Sequence, residues 1–368
     1  MKLPRITLLA ALVLATPAAA QLQLTPPATI PSPAPDKQKP KEAPKDAAKD
    51  KPKAAPHTIT KKKEAAPAPK PSASPSPTLP ATVIPAPATD NSNVDLVFGA
   101  YQRGQYKTAF DLASARAKTG DAKAMTMLGE LYSNAMGIRR DYAKAVEWYK
   151  RASDAGDREA MFALAMLRMA GRGGPVDKGE AVKLMASAAK LGEPKAAYNL
   201  ALLYLDGQTL PQDVKRSAEL LRQAADAGLP EAQYALATFY KEGTGVPKDP
   251  ERSVRLLQAA SLADNVDAEV EYAIALFNGT GTPQNKPAAV ALLRKAARQG
   301  SAIAQSRLAW VMIYGDGTPV DKIEGFKWHL VARTAGKGEP ELDKQFSQLP
   351  PEDQAKAEAA AKKWLGTK

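Results

Sequence analysis

A fixed interval of 36 residues runs through most of this chain. Small or turn-forming residues mark it at Gly120, Gly156, Gly192, Gly228, Asp264, Gly300 and Gly336, with no insertion between them. Self-similarity at one period excludes a single globule with one central core. It specifies a stack of supersecondary units, each burying its apolar face only against its neighbours.

The grammar inside one unit is helical. A capping residue follows most markers (Asp121, Asp157, Glu193, Asn265, Ser301), and Pro194 and Pro230 stand where the first turn of a helix tolerates proline. Leu229 is a poor cap. Apolar residues then recur at helical spacing, as in Ala124, Leu128 and Tyr132 or Ala196, Leu200 and Tyr204. A small residue after the leucine position (Gly129, Ala165, Ala201, Ala237, Ala273, Ala309) lets a partner helix come close. Glycine pairs end this first helix at Gly171/Gly173, Gly243/Gly245, Gly279/Gly281 and Gly315/Gly317. A second cap follows at Asp141, Asp177, Asp213, Asp249, Asn285 and Asp321. The second helix carries stripes such as Ala145/Trp148/Ala152 and Ala289/Leu292/Ala296. The expected fold is therefore all-α, six helix-turn-helix repeats over residues 120–336. Residues 91–119 read as an N-terminal capping helix pair, and residues 337–368 as one C-terminal capping helix opening at Pro350-Pro351.

What precedes the array differs in kind. Nineteen of the 31 prolines fall in the first 90 residues, which also carry 13 Lys/Arg against 6 Asp/Glu, hence seven of the twelve net positive charges. The basicity is thus concentrated outside the repeats and gives no reason to expect nucleic-acid binding by the folded part. Lys2 and Arg5, the apolar run Ile6 to Leu14, and Ala18-Ala19-Ala20 read as a cleavable signal peptide over residues 1–20, cut after Ala20. The run is too short to span a bilayer, which takes about 20 residues; an uncleaved anchor is the alternative. A periplasmic or secreted chain without a transmembrane segment after cleavage is expected. Residues 21–90, rich in Pro, Ala and Lys, lack the apolar content to offset ordering entropy and are expected to be a disordered spacer of polyproline II character. Lys61-Lys62-Lys63 offer contact with cell-wall or anionic envelope polymers, against the plainer reading of a solvated linker. The chain has no cysteine, so no disulfide can hold the units together and packing must do so.

With these residues in place, the chain resembles the Sel-one-like (Sel1-like) repeat family, a branch of the tetratricopeptide-like (TPR-like) helical repeats. Ala124, Leu128-Gly129, Tyr132, Asp141, Ala145, Trp148-Tyr149 and Ala152 match the family pattern, with Ala135 in place of the first turn glycine. Arg168 replaces the usual tyrosine in the second unit, and Thr209 replaces a turn glycine in the third. The resemblance spans residues 94–336. It implies a right-handed alpha-alpha solenoid, a superhelix that works as an adaptor for protein–protein contacts, including in envelope signalling. Some secreted relatives carry disulfides that this chain lacks, and some are linked to cell-wall-derived ligands.

No catalytic constellation is visible. His57 lies in the Pro/Lys-rich stretch and His329 beside Trp328 in a helical stripe, which reads as structural. One histidine in the array and no cysteine leave no metal site of the common kinds. The aspartates on the 36-residue beat are caps, and Gly243-Thr244-Gly245 lacks the lysine and strand of a phosphate loop. No enzyme activity, cofactor or metal is expected. What varies between units is the outward face of the first helices, which line the concave side of such arrays. If Ala124, Leu128 and Tyr132 face the core, helical spacing turns outward Thr126, Glu130 and Asn134, Phe162 and Met166, and Tyr198, Leu202 and Asp206. Further along, it selects Tyr234, Thr238 and Lys241, Ile274 and Asn278, and Trp310. Phe162, Tyr198 and Tyr234 in successive units suggest a ladder of aromatic anchors, unless they complete packing between units. The expected function is a non-catalytic periplasmic scaffold for a protein or peptide partner, in envelope signalling or assembly. The alternatives are a peptidoglycan or cell-wall-fragment binder and, behind it, a wall-directed hydrolase.

Overall fold

Capping chemistry sets the helix boundaries. In the computed structural model, which describes residues 95–366, side chains of Asp121, Asp157, Glu193, Asn265 and Ser301 each accept a backbone N–H at the start of a first helix. Asp141, Asp177, Asp213, Asp249, Asn285 and Asp321 do the same for the second helices. Leu229 offers no such bond, as its side chain requires. The first helices are α3 (Ala122–Asn134), α5 (Arg158–Ala170), α7 (Pro194–Asp206), α9 (Pro230–Glu242), α11 (Val266–Asn278) and α13 (Ala302–Tyr314). They alternate with the second helices α4 (Tyr142–Asp154), α6 (Lys178–Lys190), α8 (Val214–Asp226), α10 (Pro250–Leu262), α12 (Lys286–Arg298) and α14 (Lys322–Thr334). All twelve are 13 residues long. Before them stand α1 (Leu96–Gln102) and α2 (Tyr106–Ala117), and after them α15 (Pro340–Ser347) and α16 (Pro351–Gly366). No strand occurs among the described residues. The signal peptide and the Pro/Lys-rich linker inferred above lie outside them.

From α1 to α14 each helix packs on the one before and the one after it, the arrangement of a helix-pair solenoid, and α16 packs back on α14. Leu128, Leu164, Leu200, Leu236 and Leu308 are buried at one register of the first helices, with alanines of both helices around them. The small residue after the leucine has the expected use. A Cβ added to Gly129 would lie 2.6 Å from the Tyr149 ring, so glycine there admits a tyrosine of the second helix.

The turn glycines do two things at once. Gly243 and Gly245 have φ of +80° and +68°, a region closed to most side chains. A Cβ on Gly245 would also sit 2.6 Å from the Val214 carbonyl, so the turn of one unit lies directly on the second helix of the unit before. Ala135 occupies the left-handed cap position of the first unit with φ +58°, a strained conformation for alanine. Thr209 avoids it: Gly207 alone carries the left-handed backbone of its turn.

The array ends on aromatic packing. Residues 337–366 form two helices where the spacing suggests one, because Pro340 starts α15 before the Pro350-Pro351 pair starts α16. Phe326 and Phe346 lie 5.5 Å apart, and Trp328 and Trp364 meet edge to face at 5.0 Å, covering the stripe of α14. His329 is wholly buried there with Nε2 2.9 Å from Asp343 Oδ1. That bond and the Arg333 guanidinium hold the Asp343 carboxyl below the usual carboxylate range.

Candidate partner-binding face of the first helices

Successive first helices leave a groove of about 460 Å³ across the first three repeats. From α3 it takes Thr126, Glu130, Ser133 and Asn134, and from α5 Glu159, Phe162, Ala163, Met166 and Leu167. Tyr142 and Tyr149 of α4, Arg172 of the following turn, Glu193 and Lys195 complete it. Helical spacing brings Phe162 and Met166 side by side one turn apart, half-buried over the core, so they form an apolar floor with a polar rim.

The rim charges are not equivalent. Glu130 accepts the Tyr101 hydroxyl at 2.6 Å, Glu159 pairs with Lys123 at 3.1 Å, and Glu193 lies 3.7 Å from Arg158 and caps α7. Arg172 stacks over the Tyr142 ring at 5.3 Å, and among the described residues it has no carboxylate partner and the Lys195 ammonium has no partner. Burial, and the bond to Glu130, push the Tyr101 phenol well above its ordinary pKa; burial does the same for Tyr149.

Of the residues selected by helical spacing, the groove gathers Glu130, Asn134, Phe162 and Met166. Leu202 and Asp206 on α7, Thr238 on α9, Ile274 on α11 and Trp310 on α13 are half-buried further along, and Lys241 and Asn278 are exposed. Thr238 bonds the Tyr234 carbonyl within its own helix, Lys241 pairs with Glu271 at 2.7 Å, and Trp310 stacks on Tyr314 at 5.0 Å.

The aromatic ladder is corrected. Tyr198 is buried at 9 % exposure within the core formed with α8 and α9, and Tyr234 packs half-buried against Ala237, Leu257 and Ala268. The physical reason is the register, which Phe162 shares: it too packs half-buried against the core that α7 joins, so only part of its ring lines the groove. The residue two before the leucine leans toward the next unit, as Thr126 shows by donating to Asp157 at 3.1 Å and Ser306 by donating to Glu339 at 3.2 Å. Burial, with Glu231 nearby, pushes the Tyr198 phenol up to about 12. Burial, then Glu271, Asp267 and Glu242, raises that of Tyr234. Spacing on one helix cannot reveal this, because the covering atoms belong to the neighbouring repeat. Arg172, Tyr149 and Lys195 were missed for the same reason: they reach the groove from a turn, a second helix and the next unit.

Helix pairs stacked by nearest-neighbour contacts define the class, a TPR-like repeat solenoid. The Sel1 repeat matches this chain six times, at residues 122–157, 158–193, 194–229, 230–265, 266–301 and 302–337. The chain belongs to the Sel1 repeat family, whose arrays generally act as scaffolds for protein–protein interaction and are generally non-enzymatic. It is similar to a Sel1 repeat protein from Oxalobacter formigenes, at 27% identity and a TM-score of 0.59, over 66% of this chain and 100% of that one. A protective antigen present in uropathogenic Escherichia coli strains, with an SLR fold, shares 22% identity and a TM-score of 0.47, over 70% of this chain and 64% of its own. No curated protein matches the sequence. No helix among the described residues is long and apolar enough to cross a membrane, and no cluster of metal-ligating side chains occurs among them.

Proposed function

We propose that this chain is an exported, non-catalytic adaptor that holds an extended segment of a protein partner along the concave, first-helix face of its repeats, in envelope signalling or assembly. The groove over α3, α5 and α7 carries this reading: an apolar floor at Phe162 and Met166 within a polar rim is the layout of a peptide-binding surface. Export rests on the signal-like N-terminus, Lys2 through Ala20. The basic stretch around Lys61-Lys62-Lys63 supplies a second contact, to anionic wall or envelope polymers, outside the array. Affinity capture from envelope extracts tests the adaptor reading. The chain retains a defined partner set, and Phe162→Ala with Met166→Ala loses it while far-ultraviolet circular dichroism stays unchanged. An unchanged set with the double variant contradicts the assignment of the site. Export is tested separately: the N-terminus of protein recovered from the periplasm is Gln21, and a cytosolic chain still bearing Met1 refutes it.

A further inference from the structure

The fifth repeat departs from the common register at two places. The first helices of the other units bury a leucine at the first of them, Leu128, Leu164, Leu200, Leu236 and Leu308. The fifth carries Tyr272 instead, half-buried against Ala237, Leu257 and Ala268. A tyrosine is longer than a leucine and its hydroxyl needs a partner or solvent, so its end extends past the core. In the turn that follows, the first, third and fourth units pack Ile138, Leu210 and Val246 on the core. The fifth has Thr282 at that position. Gly174 and Thr318 depart there too, but their units keep Leu164 and Leu308, so the fifth repeat alone combines both exchanges.

Together they leave a cleft of about 500 Å³ between α10 and the turn after α11. The turn lies on the start of α10, where a Cβ on Gly281 would stand 2.6 Å from the Pro250 carbonyl carbon. Val254 and Pro283 join the Tyr272 ring as the apolar wall. Glu251, Arg255 and Gln258 fall at i, i+4 and i+7, which brings all three to the cleft from one side of α10. None of these residues lines the groove over the first three repeats.

The polar groups of the cleft are uncommitted. Among the described residues, the side chains of Glu251, Arg255, Gln258, Tyr272 and Thr282 make no hydrogen bond. Arg255 lies 3.8 Å from Glu251, close enough to balance its charge and too far for a hydrogen bond. A ligand chosen for its net charge therefore gains nothing here. Hydroxyl groups both donate and accept, and they match a set made of a carboxylate, a guanidinium, an amide and two hydroxyls.

We propose that this cleft binds a neutral saccharide, with its hydroxyls on those five side chains and its C–H face on the wall of Tyr272, Val254 and Pro283. The volume falls in the range of small-molecule clefts, about 300–1,000 Å³. The site is independent of the first-helix face, and either can fail without the other.

Saturation-transfer difference NMR on the full chain tests it. Glucose, N-acetylglucosamine, lactose and cellobiose are titrated singly, alongside the charged sugars glucuronate and glucosamine. At least one neutral sugar receives saturation and binds more tightly than either charged one. Tyr272→Leu with Thr282→Val restores the residues of the other repeats and lowers that affinity about fivefold or more. Arg255→Ala with Gln258→Ala, at two exposed positions where the fold is not at stake, does the same. No saturation of any neutral sugar, tightest binding by glucuronate or glucosamine, or wild-type affinity in either double variant overturns the proposal.

Discussion

Replacing Glu269 by glutamine should stabilise the array, and the reason lies in the repeat register. Three residues before the leucine position, Gln233 donates its amide to the Ala225 carbonyl at 3.3 Å, and Gln305 donates to that of Ala297 at 3.1 Å. Glu269 occupies the same register in the fifth unit and is wholly buried, but an ionised carboxylate has no proton to donate. Neither of its oxygens makes a hydrogen bond, and Lys295 Nζ lies 3.2 Å from Oε1 while also pairing with Asp264 at 2.9 Å. Burial raises the Glu269 pKa above its ordinary value; Lys295 opposes the shift and Asp264 adds to it. Glutamine at this position gains a hydrogen bond to the equivalent carbonyl, that of Ser261, worth about 1 kcal/mol. It also removes a buried charge, and it gives up an ion pair to a half-exposed lysine worth about 1 kcal/mol at most. The expected result is a gain of about 1–2 kcal/mol at pH 7.5. The pH dependence follows from the sign of the shift. A pKa raised by folding means that the native state keeps a proton the unfolded state has lost. Wild-type stability from this group is then complete below the unfolded pKa and declines, by about 1.4 kcal/mol per pH unit, up to the folded one. Urea unfolding of wild type and Glu269→Gln, followed by circular dichroism at pH 7.5 and pH 4, isolates the effect. The variant should lead at pH 7.5, with the gap closing at pH 4 as the wild-type carboxyl becomes protonated. A variant less stable than wild type at pH 7.5 refutes the reasoning and assigns the stability to the Lys295 ion pair.

Other outcomes can be read from the same structure. Ala135→Gly relieves a left-handed alanine at φ +58° and should add about 1 kcal/mol to stability in thermal unfolding, net of the entropy glycine brings to the unfolded chain. Gly245→Ala combines φ +68° with a Cβ 2.6 Å from the Val214 carbonyl and should cost more than about 2 kcal/mol by urea titration. Trp328→Ala leaves a cavity against Trp364 at the end of the array and should cost about 3–5 kcal/mol, lowering the thermal midpoint. The buried phenols of Tyr149, Tyr198 and Tyr234 should ionise late in a titration followed at 295 nm. Their pKa values are raised by folding, so stability is full below the ordinary tyrosine value near 10 and falls as pH climbs toward the folded values, about 12 for Tyr198.

Most of the architecture was legible because local chemistry encodes it. Asp141 or Asp157 needs only its own backbone to act as a cap, and Gly243 needs only its own φ to end a helix. The leucine stripe repeats at 3.6-residue spacing whatever lies opposite. The site was half legible. Glu130, Asn134, Phe162 and Met166 share a groove because they are neighbours on two adjacent first helices, which helical spacing alone brings to one side. For Tyr198 the packing alternative holds, because its cover comes from the next repeat and no pattern within one helix reports the tilt between units. Arg172, Tyr149 and Lys195 could not be placed for a related reason. Tyr149 reaches the face from the second helix only because Gly129 leaves room for its ring, and Arg172 reaches it from the turn after α5. Pairing likewise belongs to three dimensions: Lys123 and Lys195 look alike in the sequence, yet only Lys123 meets carboxylates. The split of residues 337–366 into two helices is not legible because the eight-residue α15 starts at Pro340 after Glu339, whose side chain makes no capping bond.

The central claim, that a partner lies along the first helices and not on the second, is tested most directly by photo-crosslinking. A benzoylphenylalanine probe is placed singly at Asn134, Met166, Leu202 and Asn278 on first helices, and at the exposed Glu147, Lys183, Glu219 and Arg255 on second helices, in the full chain within living cells. Adducts of one common mass at Asn134 and Met166, with none from the second-helix positions, are the predicted result. Adducts at the second-helix positions with Asn134 and Met166 silent contradict it.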